Sequence, residues 1–358
     1  MEKAARGIGS VATALLVLVL AACGGSSGAS TPSSTAVDPL TETVPASTVP
    51  ADLPVEPGVL RVAGERSLGM DLVQTAVLQG FFAKEGLDAQ VAPAAGEAAV
   101  RAALHEGRAD AAVVGSAAAL RLAARDPGLR IVLILGSATT GEVILGGPEA
   151  PDVASLAGRR VAYEPGGDAE LLLRSALANV AVPFAAITPV DPGARGAGAK
   201  LLDGAAAAAV VGAVQAAEVQ AADGTAQPIA AAGDQPGLVS QMLVVPGRVL
   251  RERPGQVLAF VRGWEDLYLY ERDNADEVAA SIAASHGRDA AAVAAELGGV
   301  DLLDVPANAV DLLPGGEFYD RTIGVIAEQS AAAGWIAAVP APQQVLDGSF
   351  AQAVASAR

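Results

Sequence analysis

Apolar residues recur in two rhythms along this chain, and their alternation predicts the architecture. Short, nearly continuous apolar runs read as buried strands, while longer runs with apolar positions three and four apart read as helices. The stretch from Gly80 to Gly115 shows both. It follows a predicted helix over 71–82 whose Leu72, Val73, Ala76 and Val77 share one face. The turn Lys84-Glu85-Gly86-Leu87 leads into a strand over 88–91. A second helix, over 97–106, stops at Gly107, a residue suited to the left-handed cap position. A buried strand over 109–114 then breaks at Gly115-Ser116. Helix, strand, helix, strand in this order is the grammar of a doubly wound sheet.

The same rhythm extends to both sides. Val59-Leu60-Arg61-Val62-Ala63 opens the folded part as a strand, and a helix over 117–124 is followed by strands over 130–135 and 142–145. A further apolar run spans 239–245. Helices over 254–272, 275–285, 289–297 and 317–333 close the chain, the first with Val257, Phe260, Val261, Trp264 and Leu267 at helical spacing.

A repeat organises these elements. Leu104-His-Glu-Gly107-Arg-Ala-Asp110-Ala-Ala-Val113-Val114-Gly115 has an echo in Leu201-Leu-Asp-Gly204-Ala-Ala-Ala207-Ala-Ala-Val210-Val211-Gly212, 97 residues on. Arg61-Val62-Ala63-Gly64-Glu65 likewise pairs with Arg160-Val161-Ala162-Tyr163-Glu164. With 358 residues the chain is long for a single core, and two lobes of one strand order would give this spacing.

The N-terminal 22 residues have the order of parts of a secretory signal. Lys3 and Arg6 precede an aliphatic run over 11–20, and Leu20-Ala21-Ala22-Cys23 closes it. The run is shorter than the roughly 20 residues that a membrane-spanning helix needs. Residues 23–57 are rich in Ser, Thr, Pro, Gly and Ala, carry no Lys, Arg or aromatic residue, and are expected to form a disordered tether. Cys23 is the single cysteine, which excludes a disulfide within the chain.

Several motifs resemble one known family. Gly80-Phe81-Phe82 with Glu85-Gly86-Leu87-Asp88, Gly107 with Asp110-Ala-Ala, and Leu156, Gly158 and Val161 at the start of the second lobe are similar to the bacterial solute-binding proteins of the nitrate, sulfonate, taurine and thiamine-pyrimidine group. Val345-Leu346-Asp347-Gly348-Ser349-Phe350 is similar to that family's closing turn, so the resemblance spans roughly Leu60 to Val354. Leu20-Ala21-Ala22-Cys23-Gly24 resembles a bacterial lipobox. The resemblance implies an α/β protein of the periplasmic-binding type II kind: two doubly wound α/β lobes joined by a two-segment hinge, with C-terminal helices. Its expected parts are a signal peptide (1–22), a lipidated tether (23–57), the first lobe (58–140), the second lobe (141–240), and the completion of the first with the C-terminal helices (241–358). The hinge is expected over 136–141 and 239–245.

Function follows in the same terms. The resemblance implies an extracytoplasmic receptor, lipid-anchored to the cell membrane through Cys23. It would act as a monomer, binding a small-molecule solute and passing it to ABC permease subunits. A membrane-anchored sensor without transport is the alternative, and an enzyme of the pyrimidine-precursor type a more distant one. A net charge of −17 argues against nucleic acid, which attracts basic surfaces. No cofactor or metal is expected: His105 and His286 are the only histidines, and a zinc site wants several His or Cys ligands. No G-x-S-x-G nucleophile elbow occurs.

Ligands in open α/β sheets bind outside the carboxyl ends of the strands. Four loops sit there: 65–69 with Glu65, Arg66 and Ser67; Gly115-Ser116; 164–168 with Glu164, Gly166, Gly167 and Asp168; and 212–215, where Gln215 is the strong polar side chain. Ser116, Gly166 and Gly167 precede helices, so their amides can face a ligand, although the Ser116 hydroxyl serves equally to cap its own helix. By the resemblance, Tyr163-Glu164-Pro165-Gly166-Gly167 is the second-lobe ligand loop. The repeat places Glu65 and Glu164 at equivalent positions. If they face a closed cleft they favour a neutral or cationic nitrogen-containing solute over the sulfonate- or nitrate-type anion of the family, and if they point to solvent they do not. Ala207 stands where the first lobe has Asp110.

Overall fold

The computed structural model describes residues 49–357. Its strands, in chain order, are β1 (Val59–Gly64), β2 (Asp88–Pro93), β3 (Ala111–Gly115), β4 (Arg130–Ala138), β5 (Glu142–Gly146), β6 (Arg160–Ala162), β7 (Thr188–Val190), β8 (Ala208–Gly212), β9 (Gln227–Ala231), β10 (Ser240–Val245) and β11 (Val300–Leu302). They form two sheets, one of order β11-β4-β10-β3-β1-β2 and one of order β7-β6-β8-β5-β9. β1 runs parallel to β2 and β3, as β6 does to β7 and β8. The next strand of each sheet is antiparallel, β10 in the first and β5 in the second. Each antiparallel strand enters from the other sheet, so the two sheets share one order and exchange one strand.

The repeat seen in the sequence is also a repeat of backbone. β3 and β8 both read Ala-Ala-Val-Val-Gly and both feed a ten-residue helix, Ser116–Arg125 and Ala213–Ala222. The residues before those helices, Gly115 and Gly212, have φ −72° with ψ 166° and 164°. Two lobes of one design thus point the carboxyl ends of their strands at each other.

Two crossings join the sheets. Residues 139–141 carry the chain out of β4, and residues 232–239 return it to β10. They are tied together by Gly233 N–H to Thr139 O (2.8 Å) and Ala138 N–H to Val239 O (2.8 Å). Thr139 and Gly141 also donate to Gly299 O, at 2.9 and 2.8 Å. The expected hinge segments are therefore displaced: β4 continues through Gly136 to Ala138, and residues 240–245 are strand. Pairing with β11 and β10 extends the order beyond the apolar run that marked it.

Other elements also depart from the expected bounds. The first helix is split into Leu68–Leu78 and Phe81–Lys84 by Gly80 at φ 80°, a left-handed conformation suited to glycine. The expected break between the helices over 254–272 and 275–285 is present: within Pro254–His286 the backbone leaves the helical region at Asn274 (φ −139°, ψ 35°), whose side chain donates to Tyr270 O at 2.8 Å. Residues 49–57, assigned above to the tether, pack on this helix. Val49, Ala51, Leu53 and Val55 lie against the first-lobe core, and Glu56 accepts from the Gly255 and Gln256 amides at 3.1 and 2.9 Å. Their alternating apolar positions are diluted by prolines and acids, which hid the pattern. The signal peptide, Cys23 and the rest of the tether lie outside the described residues.

Trp264 is fully buried in the first-lobe core and donates from Nε1 to Leu303 O at 2.9 Å. Trp335 sits elsewhere. It lies under Arg121 of the first lobe (5.0 Å) and Arg174 of the second (5.9 Å), beside helix Ile323–Ala332, which packs on helices of both lobes.

Asp110 anchors the first sheet. Its carboxylate, 1% exposed, accepts from the Arg61 amide and Nε, both at 3.0 Å, and pairs with Arg253, with Arg248 at 3.8 Å. Burial alone would raise this carboxyl, but the Arg61 amide and the Arg253 and Arg61 guanidinium groups hold it below its ordinary value. Breaking a buried pair leaves its partners uncompensated. Asp110→Ala is expected to cost about 3 kcal/mol and lower the melting temperature by roughly 6–12 °C. Thermal denaturation followed by circular dichroism measures it, and a shift under about 1 °C would contradict the anchoring role.

Candidate functional site

A cavity of about 510 Å³ opens between the lobes at the carboxyl ends of their strands. The first lobe contributes Leu68, Gly136, Ala138, Ser240 and Gln241, and the second contributes Glu142, Asp168 and the 212–215 loop. Glu296 and Val300, from the C-terminal helical segment, close one side. The walls are mainly small and aliphatic. No Lys, Arg or aromatic residue is among the lining side chains.

Asp168 crosses from one lobe to the other. It is the first residue of helix Asp168–Asn179, and its Oδ1 accepts from the Ala117 amide, at the N-terminus of helix Ser116–Arg125, at 2.9 Å. The carboxylate occupies a helix N-terminus, where unpaired N–H groups and the helix dipole favour negative charge. Gly115 makes room for it, since a Cβ there would fall 1.9 Å from Asp168 Oδ2. Even so, burial prevails over the Ala117 and Ser116 amides and the Arg121 charge, and the Asp168 carboxyl is pushed up to about 6.

Glu142 is the second carboxylate of the cavity. It opens β5, where Glu142 pairs in register with Gly212, and its carboxylate makes no hydrogen bond or ion pair to another described residue. The carboxyl lies deep in the protein while the residue keeps a face open to the cavity. Burial, and then the neighbouring Asp168 charge, push it up to about 8. Gln241 adds an acceptor: its Oε1 is shielded from solvent and has no hydrogen-bond partner among the described residues.

A second hollow of about 390 Å³ adjoins the first, sharing Asp168 and Gln241. It gathers Glu65, Arg66, Ser67, Glu164, Gly166 and Gly167. Glu65, Arg66 and Glu164 are exposed there, and the carboxylates that meet within the cleft are Glu142 and Asp168. Ser67 caps its own helix, accepting from the Met70 amide at 3.3 Å. The Gly166 amide is taken by Glu170 Oε2 at 2.8 Å, so it does not face a ligand. The Ser116 hydroxyl points inward, accepting from the Ser240 amide at 2.9 Å, and neither caps its helix nor lines the cavity. Gln215 lines the cavity while its Oε1 accepts from the Gly198 amide at 3.2 Å.

Sequence reading missed Glu142, Gln241 and Glu296. The available signal was polarity at the mouth of an apolar strand: Glu142 precedes Val-Ile-Leu, and Ser240-Gln241 precede Met-Leu-Val-Val. Glu296 carried none, because its place depends on the fold of the C-terminal helices. Among the described residues no group of three or more His, Cys, Asp or Glu could hold a metal ion, and no helix is long and apolar enough to cross a membrane. His105 and His286 are both exposed, and His286, the last residue of the long helix, pairs with Asp71 at 2.9 Å.

Known structures share this architecture. The periplasmic aliphatic sulphonate binding protein SsuA from Escherichia coli is similar with a TM-score of 0.67 at 17% identity, over 83% of this chain and 99% of that chain. The alkanesulfonate-binding protein SsuA from Xanthomonas axonopodis pv. citri, bound to MOPS, is similar at 0.59 and 20% identity, over 83% and 99%. The periplasmic nitrate-binding protein NrtA from Synechocystis PCC 6803 reaches 0.51 at 17%, over 64% and 67%. At these identities the likeness is one of fold, and that fold is the two-lobed periplasmic-binding fold. No curated protein sequence matches the chain significantly. A family model described as NMT1/THI5 like matches residues 72–278, more than half of the chain. On that match and this architecture, the chain belongs to the NMT1/THI5-like family.

Proposed function

We propose that the protein is an extracytoplasmic solute receptor, not an enzyme, held on the membrane by lipid on Cys23 and delivering a small molecule to an ABC importer. The observation that carries the reading is the cavity between two like lobes, at the strand ends, built by residues of both. Its size suits a small organic ligand. The sulphonate- and nitrate-binding names of the similar structures support a receptor role, as does a structure named as the ligand binding component of an ABC-type import system from Staphylococcus aureus. Leu20-Ala21-Ala22-Cys23 supports the anchor, and acyl chains would hold the protein at the bilayer because each buried CH₂ contributes ~0.8 kcal/mol. The lobes would close by rotation about residues 139–141 and 232–239, in the manner of hinged binding proteins.

Asp168 serves as the latch of the closed form, since its bond to the Ala117 amide spans the cleft. The Asp168 and Glu142 carboxyls have raised values, so the folded form binds protons more tightly than the unfolded chain. That penalty is absent below about pH 4. It grows as pH rises and is complete above about 6 for Asp168 and about 8 for Glu142.

Three outcomes are expected. Cys23→Ala should lose incorporation of labelled acyl chains and leave the membrane fraction, and continued labelling would refute the anchor. Gly115→Ala, whose methyl would meet Asp168 Oδ2, should enlarge the ligand-free radius of gyration in solution scattering, with parental dimensions arguing against the latch. Urea denaturation of the parent should show stability declining from pH 5 to pH 8. The double variant Glu142→Gln/Asp168→Asn should flatten that decline, and an equal decline in both proteins would exclude these carboxyls as its source.

A further inference from the structure

Every charged side chain that lines the cavity is an acid. The Glu142 carboxylate is unpaired and Asp168 of the same lobe lies beside it, while Gln241 Oε1 is shielded and unpartnered. Glu296 lines the same space, with one oxygen bound to Arg288. The first-lobe helix N-terminus, which could hold an anion, is occupied by the protein itself, because Asp168 already sits at the Ala117 amide. Arg121, whose charge acts on Asp168, is paired with Glu97 through Nη2 while its Nη1 has no partner among the described residues, and Arg66 lies in the outer hollow. We propose that the cleft takes a small organic cation rich in N–H donors, an alkylamine or guanidinium, seated between Glu142 and Asp168 with an N–H to Gln241 Oε1.

This rests on the receptor reading above and gives it a ligand class. The two carboxylates repel each other when both ionise in the closed cleft, and a cation between them removes that repulsion and the proton that otherwise does so. Leu68, Val214, Val239 and Val300 supply apolar contact for an aliphatic body. With no aromatic side chain in the lining, nothing there forms the cage that a quaternary ammonium prefers, so recognition runs through N–H donors. Other charges bear on the pair only from its margins: Arg121 towards Asp168, Arg288 through Glu296, and Glu65, Arg66, Glu97 and Glu164 in the adjoining hollow.

The test is calorimetry on the purified full-length protein with four probes: n-butylamine, agmatine, 1-butanesulfonate and nitrate. At least one amine is expected to bind and both anions to fail. Amine affinity should rise severalfold from pH 6 to pH 8.5, because alkylamines stay protonated through this range while the dyad loses its proton. Glu142→Gln should weaken amine binding at least tenfold, and Glu142→Asp, which keeps the charge, should retain most of it. Preferential binding of 1-butanesulfonate or nitrate, or an affinity that falls with rising pH, would overturn the cation assignment and leave the receptor reading standing. Amine binding unchanged in Glu142→Gln would overturn the seat. No binding of any probe, with no compaction in scattering, would count against both readings.

Discussion

The meeting of the two lobes turns on one carboxylate reaching across a cleft. Asp168 begins a second-lobe helix and accepts from the amide of Ala117 at the start of a first-lobe helix. Two helix N-termini thus face each other with a single negative charge between them. A helix end leaves N–H groups without intrahelical partners, so the contact is favourable on both sides. It is possible only because Gly115 carries no side chain. Desolvation opposes it, and the raised Asp168 carboxyl records that opposition.

The lobes that meet there are made by the same local sequence used twice. Ala-Ala-Val-Val-Gly feeds a helix in each, and each sheet borrows its antiparallel strand from the other side of the crossing. The lobes then diverge in how they are held. The first is pinned by Asp110 and its arginines, while Ala207 leaves the second without an equivalent. Its charge pairs lie elsewhere, chiefly Glu170 with Arg174 beneath the 164–167 loop. The C-terminal segment joins both: helix Ile323–Ala332 and Trp335 bridge Arg121 and Arg174, and Gly299 receives the crossing strand. The chain's last third therefore sets how the lobes stand.

Within the site, burial and charge decide chemistry more than residue type does. A glutamate at the mouth of a strand is unremarkable in isolation. Placed deep beside Asp168 with no cationic partner, it becomes a group whose proton depends on what fills the cavity. Glu65 and Glu164, equivalent by the repeat, remain exposed to water.

Periodicity, the repeat and the Gly and Pro punctuation by themselves determined the alternation of strands and helices, the two-lobed design and the loops at the strand ends. These features depend on neighbours within a few residues, or on the copy 97 positions away, and both are written in the chain. Tertiary structure decided which loop residues line the cavity. Ser116 turned inward because Ser240 of the exchanged strand offers it a donor, whereas the captures of the Gly166 amide by Glu170 and of the Met70 amide by Ser67 are local, within one helical turn. Glu142, Gln241 and Glu296 come together from positions up to 154 residues apart. The affinity of a backbone amide for an acceptor, and the cost of burying a carboxylate, depend on what lies across the cleft, and no local pattern in the sequence encodes that.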